Sequence, residues 1–408
     1  MQLRYGFRLY PNGPQRSALA KAFGCARVVF NDALHVREDA RTAGLAFVTS
    51  GELSKRLTAS KKTPERAWLG EVSSVILQQS LRDLDAAYRN FFDSLKGKRS
   101  KMGPPRFKSR KDTRQAIRFT TNAGWKITRG KKLRLPKIGD ISVKWSRTLP
   151  STPTTVTVIK DSAGRYFASF VIETGPEEVL TPVTSKIGID LGLGHFAVLS
   201  DGRKVDSPRF LRRAEKQLKK AQRSLSRKEK SSANRNKARI KVARAHARVA
   251  DTRREFHHQL STQLIRENQA IAVEDLAVKA LARTRLAKSV HDAGWSQFTA
   301  MLEYKASRYG RTFVRIGRFE PTSQVCSACG VKDGPKPLHV REWTCEECGT
   351  VLDRDINAAV NVAKAAGLAV TARRAQVRPV PVPAQRDETG THPEPRPTTA
   401  RQTGIALL

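Results

Sequence analysis

The chain has 408 residues, 39% of them hydrophobic, enough for two to four compact units with their own cores and too much for one small binding module. A formal net charge of +39, from 76 Lys and Arg against 37 Asp and Glu, exceeds what solubility requires and calls for a polyanionic partner, nucleic acid first. A membrane surface does not fit, because no run of about 18 apolar residues occurs and the basic segments lack an apolar opposite face.

The opening MQLRYGFRLYPNG has no charged-then-apolar signal pattern, so the expectation is a cytoplasmic protein, nucleoid-associated when bound to DNA. Residues 2 to 9 alternate as a strand. PNGPQ then opens a helical stretch in which Leu19, Phe23, Val28, Val29 and Leu34 recur at helix-like intervals, with Cys25 reading as a packed core thiol. A second helix is expected from about Val75 to Leu95. Its stripe of Leu77, Leu81, Leu84, Tyr88 and Phe92 faces the core and leaves Gln78, Arg82 and Arg89 to a partner.

Between Lys96 and Arg118 the cations of KGKRSKMGPPRFKSRKDTRQAIR, broken by Gly and Pro, read as a phosphate-contacting loop, with Phe107 and Phe119 as stacking residues. The runs KKLRLP, DISVKW, TTVTVIK and YFASFVIE, between Trp125 and Glu173, predict a small antiparallel barrel. The strand at 2 to 9 would complete it, making the helices an insertion.

In SKIGIDLGLGHFAVLSDGRKV an apolar strand ends in Asp190, and Gly192 and Gly194 turn the chain into a second strand. From about Pro208 to Glu267 the chain is helical and strongly basic. Leu211, Leu218 and Leu225 form one seam and Ala238, Val242, Ala245 and Val249 another, which predicts an antiparallel hairpin turning near SSANRN with a cationic outer face for nucleic acid. NQAIAVEDLAV then delivers Glu274 from a buried-type strand, and only one of Glu274 and Asp275 can face the same side. Cys326-x-x-Cys329 and Cys345-x-x-Cys348, separated by fifteen residues and followed by Gly330 and Gly349, have the pattern of a structural zinc ribbon. Four thiolates leave zinc no open position, so it is not the catalytic metal. In LDRDINAAVNVAKAA, Asp355 starts a helix whose Ala358, Ala359, Val362 and Ala363 permit close approach to a sheet. His195, His257, His258 and His291 read as surface or packing residues. The Arg-, Pro- and Thr-rich stretch after Val370 is expected to be disordered.

Three acids beside apolar runs, Asp190, Glu274 and Asp355, are costly unless cations share them. Hard oxygen ligands favour Mg²⁺ or Mn²⁺, and two such ions about 4 Å apart suit phosphodiester cleavage.

At these residues the sequence resembles the TnpB family, transposon-associated RNA-guided nucleases related to the type V CRISPR effectors. The likeness runs from FRLYPNGPQRSALAKAFGCARVVFNDAL through LQQSLRDLDAAYRNFF, PPRFKSR, GIDLGL, VEDL, DAGWSQFTAMLEYKASRYG and PTSQVCSACG to DRDINAAVNV. It implies a multidomain α+β fold: an RNase H-like (RuvC) α/β nuclease domain with helical-hairpin and zinc-ribbon insertions, plus an N-terminal β-barrel carrying an inserted helical domain. The boundaries it implies are 1–10 and 120–178 for the barrel, 11–119 for the helical recognition domain, 179–318 and 350–370 for the nuclease, 319–349 for the ribbon and 371–408 for a disordered tail. It implies catalytic, Mg-binding roles for Asp190, Glu274 and Asp355, with Asp353 set aside because the family pattern is Asp-x-Asn-Ala-Ala. It also implies a ribbon that helps load DNA, a guide RNA from the transposon end, double-stranded DNA as target, and a short target-adjacent motif faced by Gln78 and Thr120. Two other functions compete: RNA-directed DNA binding without cleavage, and a transposase that joins strands with the same three acids.

Overall fold

The computed structural model describes residues 2–173, 179–337 and 339–368; the expected disordered tail at 371–408 lies outside the described residues. The chain opens with β1 (Gln2–Tyr10), α1 (Gly13–Thr42), α2 (Ser50–Ser60) and α3 (Ser74–Leu95). The PNGPQ signal works as a capping box: the Asn12 side chain accepts from the Gln15 N–H, Gln15 returns a bond to the Asn12 N–H, and Pro14 sits in the first turn. The predicted stripe of α3 is buried at Leu77, Leu81 and Leu84 and fades outward to Phe92, which is exposed. Helix α2 was not foreseen, and its Leu53 and Leu57 dock on the same core.

Strands β2 (Gln115–Thr120), β3 (Lys126–Ile127), β4 (Leu133–Leu135), β5 (Gly139–Lys144), β6 (Thr155–Lys160) and β7 (Tyr166–Glu173) follow. They join β1 in one antiparallel seven-stranded sheet ordered β2-β6-β7-β1-β5-β4-β3, so the first strand pairs with the β-rich segment as expected. Alternation puts Phe7, Phe119, Ile141, Val158 and Phe170 into one core shared with Leu19, Leu77 and Leu84 of the helices. This corrects the expectation for Phe119. It lies on β2 and is 0% exposed, so it cannot stack on a base, whereas Phe107 in the preceding loop is open to solvent.

A second sheet is built from β8 (Lys186–Asp190), β9 (His195–Leu199), β10 (Lys204–Asp206), β11 (Ala270–Glu274) and β12 (Thr312–Ile316), ordered β10-β9-β8-β11-β12. The β8, β11 and β12 strands run parallel; β9 and β10 are antiparallel. Between β10 and β11 the basic segment forms α4 (Phe210–Ser226) and α5 (Ala233–Glu267), packed as a hairpin with Leu218, Ala238 and Val249 buried in the predicted seams. Helices α6 (Val278–Leu281), α7 (Ala287–Ala293) and α8 (Trp295–Tyr309) lead to β12. A two-stranded ribbon, β13 (Glu342–Thr344) with β14 (Val351–Asp353), runs directly into α9 (Arg354–Ala365).

The central strands have two different faces. Ile187, Ile189, Ile271 and Val273 pack on α5 and α8 with Leu264, Phe298 and Leu302. The alternate positions are small, Gly188, Ala270 and Ala272, and α9 lies there with Val362 and Ala363. A Cβ on Gly188 would stand 2.2 Å from the Ala359 carbonyl oxygen and 2.6 Å from the Ala363 nitrogen, so only glycine permits this approach. The small residues of α9 carry the close contact that the sequence foretold. No helix among the described residues is long and apolar enough to cross a membrane.

Candidate active site and metal centre

Strand periodicity aims two of the three predicted acids. Asp190 follows Gly188 by two on β8 and Glu274 follows Ala272 by two on β11, so both side chains leave the sheet on the α9 face. The register sets Ile189 opposite Val273, which makes Asp190 and Glu274 neighbours at the carboxyl ends of adjacent parallel strands. That is where open α/β sheets present their crevices. Helix α9 begins above the same edge and supplies Asp355.

Asp190 feels both of the other acids. Burial, then Glu274, then Asp355 push the Asp190 carboxyl up to about 7, against a smaller opposing pull from Arg354. Burial also raises Glu274, opposed by the Thr322 hydroxyl, which donates to it at 2.5 Å. Asp355 faces Arg341, whose guanidinium reaches its two oxygens at 3.4 and 3.5 Å. The acids are more open than a single-ion cage: among the described residues, only the four cysteine sulfurs form a group of three or more ligand atoms within 4.8 Å.

The two rival acids are engaged elsewhere. Asp353 is the N-cap of α9, accepting from the Asp355 and Ile356 N–H groups at 3.0 Å, and it pairs with Lys204 at 2.5 Å. Asp275 turns toward Arg318 at 2.6 Å. Each is spoken for by a cation that its neighbour in sequence lacks.

The cysteines converge as their spacing predicts. Cys326 to Cys348 and Cys329 to Cys345 are each 3.7 Å apart, too long for a disulfide and close to the roughly 3.8 Å edge of a tetrahedron of thiolates about 2.3 Å from a central zinc. Gly330 and Gly349, with φ of 82° and 66°, close the two knuckles by donating to the Cys326 and Cys345 carbonyls at 2.9 Å. This set can hold one metal ion with no coordination position left over.

Sequence reasoning did not find the residues that tie this centre to the acids. Asn357 and Asn361, one turn apart on α9, reach back to the segment before the first knuckle. Asn357 accepts from the Ser327 N–H at 2.7 Å and donates to the Val325 carbonyl at 2.8 Å, while Asn361 donates to Val325 at 2.6 Å and to Thr322 at 2.8 Å. Thr322 thus joins Glu274 through its hydroxyl and α9 through its carbonyl. The signal was an asparagine pair at i and i+4 on an otherwise small-residue helix face, where an unpaired buried amide is costly.

Of the histidines singled out in the sequence, His257 packs in the core, fully buried among Phe196, Phe256 and Phe298 with its Nε2 2.9 Å from the Ala293 carbonyl, and His291 lies at the surface. Elsewhere, Gln78 and Thr120 line one open cleft of about 420 Å³ together with Ser74, Arg82 and Asn122. The Gln78 amide is held there by the Ser54 hydroxyl at 2.9 Å. On the α4–α5 hairpin, Lys216, Lys220 and Arg223 and, on α5, Lys237, Lys241, Arg244 and Arg248 form exposed cationic stripes.

Known proteins resemble this chain along most of its length. Residues 169–285 match a family profile described as "Probable transposase", residues 295–362 one described as "Cas12f1-like, TNB domain", and residues 1–45 one described as "Helix-turn-helix domain", although that last span is β1 and the single 30-residue helix α1. A Streptomyces pristinaespiralis protein named "Putative RNA-guided DNA endonuclease" is 45% identical over 97% of both chains. An Escherichia coli K12 protein named "Putative RNA-guided DNA endonuclease InsQ" is 31% identical, over 90% of this chain and 93% of its own. Among solved structures, the protein of a Cas12f1-sgRNA-target DNA complex superposes with a TM-score of 0.51 at 13% identity, over 85% of this chain and 82% of that one, a likeness of fold.

Proposed function

Because this chain belongs to the TnpB family of transposon-associated proteins, we propose that it is an RNA-guided DNA endonuclease of a transposon, cutting double-stranded DNA beside a short motif at Asp190, Glu274 and Asp355. The observation that carries the reading is the meeting of these acids at one sheet edge, where burial and then the charges of Glu274 and Asp355 raise the Asp190 carboxyl. Carboxylates so placed are stable as anions only with cations between them. The donor set is all oxygen and fits Mg²⁺ or Mn²⁺, and its openness leaves room for a substrate phosphate. Bound there, a pair of such ions would activate water and stabilise the leaving 3′ oxygen. The protein's own part is to fix Glu274 through Thr322 and Asp355 through the Asp353 cap.

The four cysteines would hold zinc as a structural ion, since their sulfurs fill a tetrahedron and leave nothing for substrate. The guide RNA would come from the transposon end and lie along the cationic hairpin and the seven-stranded sheet with its helices. In this division of labour the sheet and helices grip and orient, residues 319–349 form a ribbon beside the cut, and Gln78 and Thr120 read the target-adjacent motif from their shared cleft. Polar side chains in such a cleft suit base-edge or phosphate contacts.

The test is cleavage by the purified protein with its copurified RNA. Matched DNA should be cut with Mg²⁺, and neither EDTA-treated protein nor Asp190→Ala should cut. Persistent cutting by Asp190→Ala would overturn the assignment. Strand-transfer products from transposon ends, made by this protein alone, would favour the strand-joining function that the matched profile's description suggests.

A further inference from the structure

The turn between β12 and the first knuckle carries a side chain that the fold does not use. Phe319 is 92% exposed, the highest value of any large apolar residue among those described. Single exposed apolar residues are ordinary, so exposure alone assigns nothing. The surroundings of Phe319 are not ordinary.

Its turn is fixed on both sides to the strand end that bears Glu274. On one side Arg318 donates to the Asp275 carboxylate at 2.6 Å and to its carbonyl at 3.3 Å. On the other, Thr322 donates to Glu274 at 2.5 Å while its carbonyl accepts from Asn361 at 2.8 Å. Between them the Glu320 N–H bonds the Gly317 carbonyl at 3.4 Å and the Thr322 N–H bonds the Glu320 carbonyl at 2.9 Å, which leaves Arg318 and Phe319 at the corners of a tight turn. The backbone that carries this bare ring is therefore fixed to the strand end bearing Glu274, and the partly exposed Arg315 and Arg318 both pair with Asp275 at that same end. A turn needed only as a connector would be better served by a polar residue.

We infer that Phe319 is a stacking platform for an unpaired base of the strand being cut, setting the adjoining phosphate before the carboxylates. The bases of an intact duplex are stacked on both faces, so only a single-stranded or splayed nucleotide can cover the ring, with Arg315 and Arg318 serving its backbone. This rests on the proposed nuclease reading and adds the contact that positions the substrate from its base side.

The experiment uses the protein with its copurified RNA and matched DNA in Mg²⁺. Phe319→Ala should lower kcat/KM about ten-fold, mainly through KM, the size of one base–aromatic stack, and Phe319→Trp should restore it. Zinc content, RNA retention and Tm should not change. Single abasic sites scanned across the cut region should include one position that costs the wild type the same factor and costs Phe319→Ala nothing more. Unchanged kcat/KM in Phe319→Ala, or additive losses at every abasic position, would overturn the inference. If the wild type does not cut, the nuclease reading falls, and the platform is judged separately by photocrosslinking to single-stranded DNA carrying 5-iodouracil. A crosslink at Phe319 supports it; crosslinks confined to other residues reject it.

Discussion

Asp353 and Asp355 stand two residues apart and meet opposite demands. Burial would raise Asp353, but Lys204 and two backbone N–H groups outweigh it and hold its carboxyl below the usual range. Little of that carboxylate is left for a metal. Asp355 faces only the long contacts from Arg341, which an incoming cation can displace. Asp355→Asn should therefore reduce the single-turnover cleavage rate by at least about 100-fold, whereas Asp353→Asn, which keeps a good cap, should stay within about three-fold. Equal losses would contradict this division. In the sequence both aspartates precede the helix equally well, and only the family pattern separated them; the capping geometry gives the physical reason. His257 was less legible, because a basic helix hides which of its residues faces an aromatic cluster. Burial above all pushes its imidazole down to about 4 from the ordinary 6.5. As pH falls below 6.5 the unfolded chain takes up the proton first, so stability is constant above 6.5 and is lost between 6.5 and 4, about 3 kcal/mol for this group. Urea unfolding at pH 7 and pH 4.5 should show that loss in the wild type and a smaller one in His257→Phe; parallel losses would mean that other groups govern the acid limb.

At the scale of elements, the site is a set of attachments made to α9. Its small face lies on Gly188, its N-cap ends the ribbon strand β14, and Asn357 and Asn361 clasp the segment that enters the first knuckle. Gly188→Ala would force a methyl group to 2.2 Å from a backbone oxygen, so the helix must move away and take Asp355 with it. The expected cost is about 1–3 kcal/mol or more, read as a lower Tm together with loss of cleavage. Gly6→Ala, where nothing lies within 4 Å, is the control and should leave both nearly unchanged. The same attachments predict that stripping metal from the cysteines will impair cutting although no cysteine touches the acids, because Ser327 of the first knuckle is bonded to Asn357 of α9 and the same helix holds Thr322, which anchors Glu274. Added Mg²⁺ alone should not restore activity to the stripped protein, and Zn²⁺ followed by Mg²⁺ should; recovery with Mg²⁺ alone would uncouple the two centres. The close approach of α9 could be read from its alanines, and the hairpin from its heptad seams. Strand β2 could not, because Arg118 and the cations before it disguise the alternation of Ile117 and Phe119, and a phenylalanine among cations reads as a stacking residue until its burial is known.

The whole molecule carries far more positive charge than its own acids can answer, and the surplus is arranged. On α4, Lys216, Lys220 and Arg223 repeat at i, i+4 and i+7, a spacing that places them on one face of the helix. Like charges at these spacings cost a few tenths of a kcal/mol per pair in an isolated helix, and the residues buried in the hairpin seam, Leu218, Ala238 and Val249, are apolar and not these cations. If the stripe is merely solvated, changing all three to Gln should leave RNA binding alone and hold or slightly raise Tm. If it tracks a phosphate backbone, each lost contact removes about 0.7 from the slope of log K against log salt for single strands and about 0.9 for duplex. The triple Gln variant should then bind the copurified RNA with a slope smaller in magnitude by roughly 2 to 3, measured by filter binding over a series of KCl concentrations. Affinity should fall most at low salt and converge with the wild type as salt rises, because the missing term is counterion release. A uniform loss at every salt concentration would instead mean that the substitutions distorted the hairpin. Unchanged slopes would move the RNA path off α4 and leave the stripe on α5, with Lys237, Lys241, Arg244 and Arg248, as the next face to neutralise.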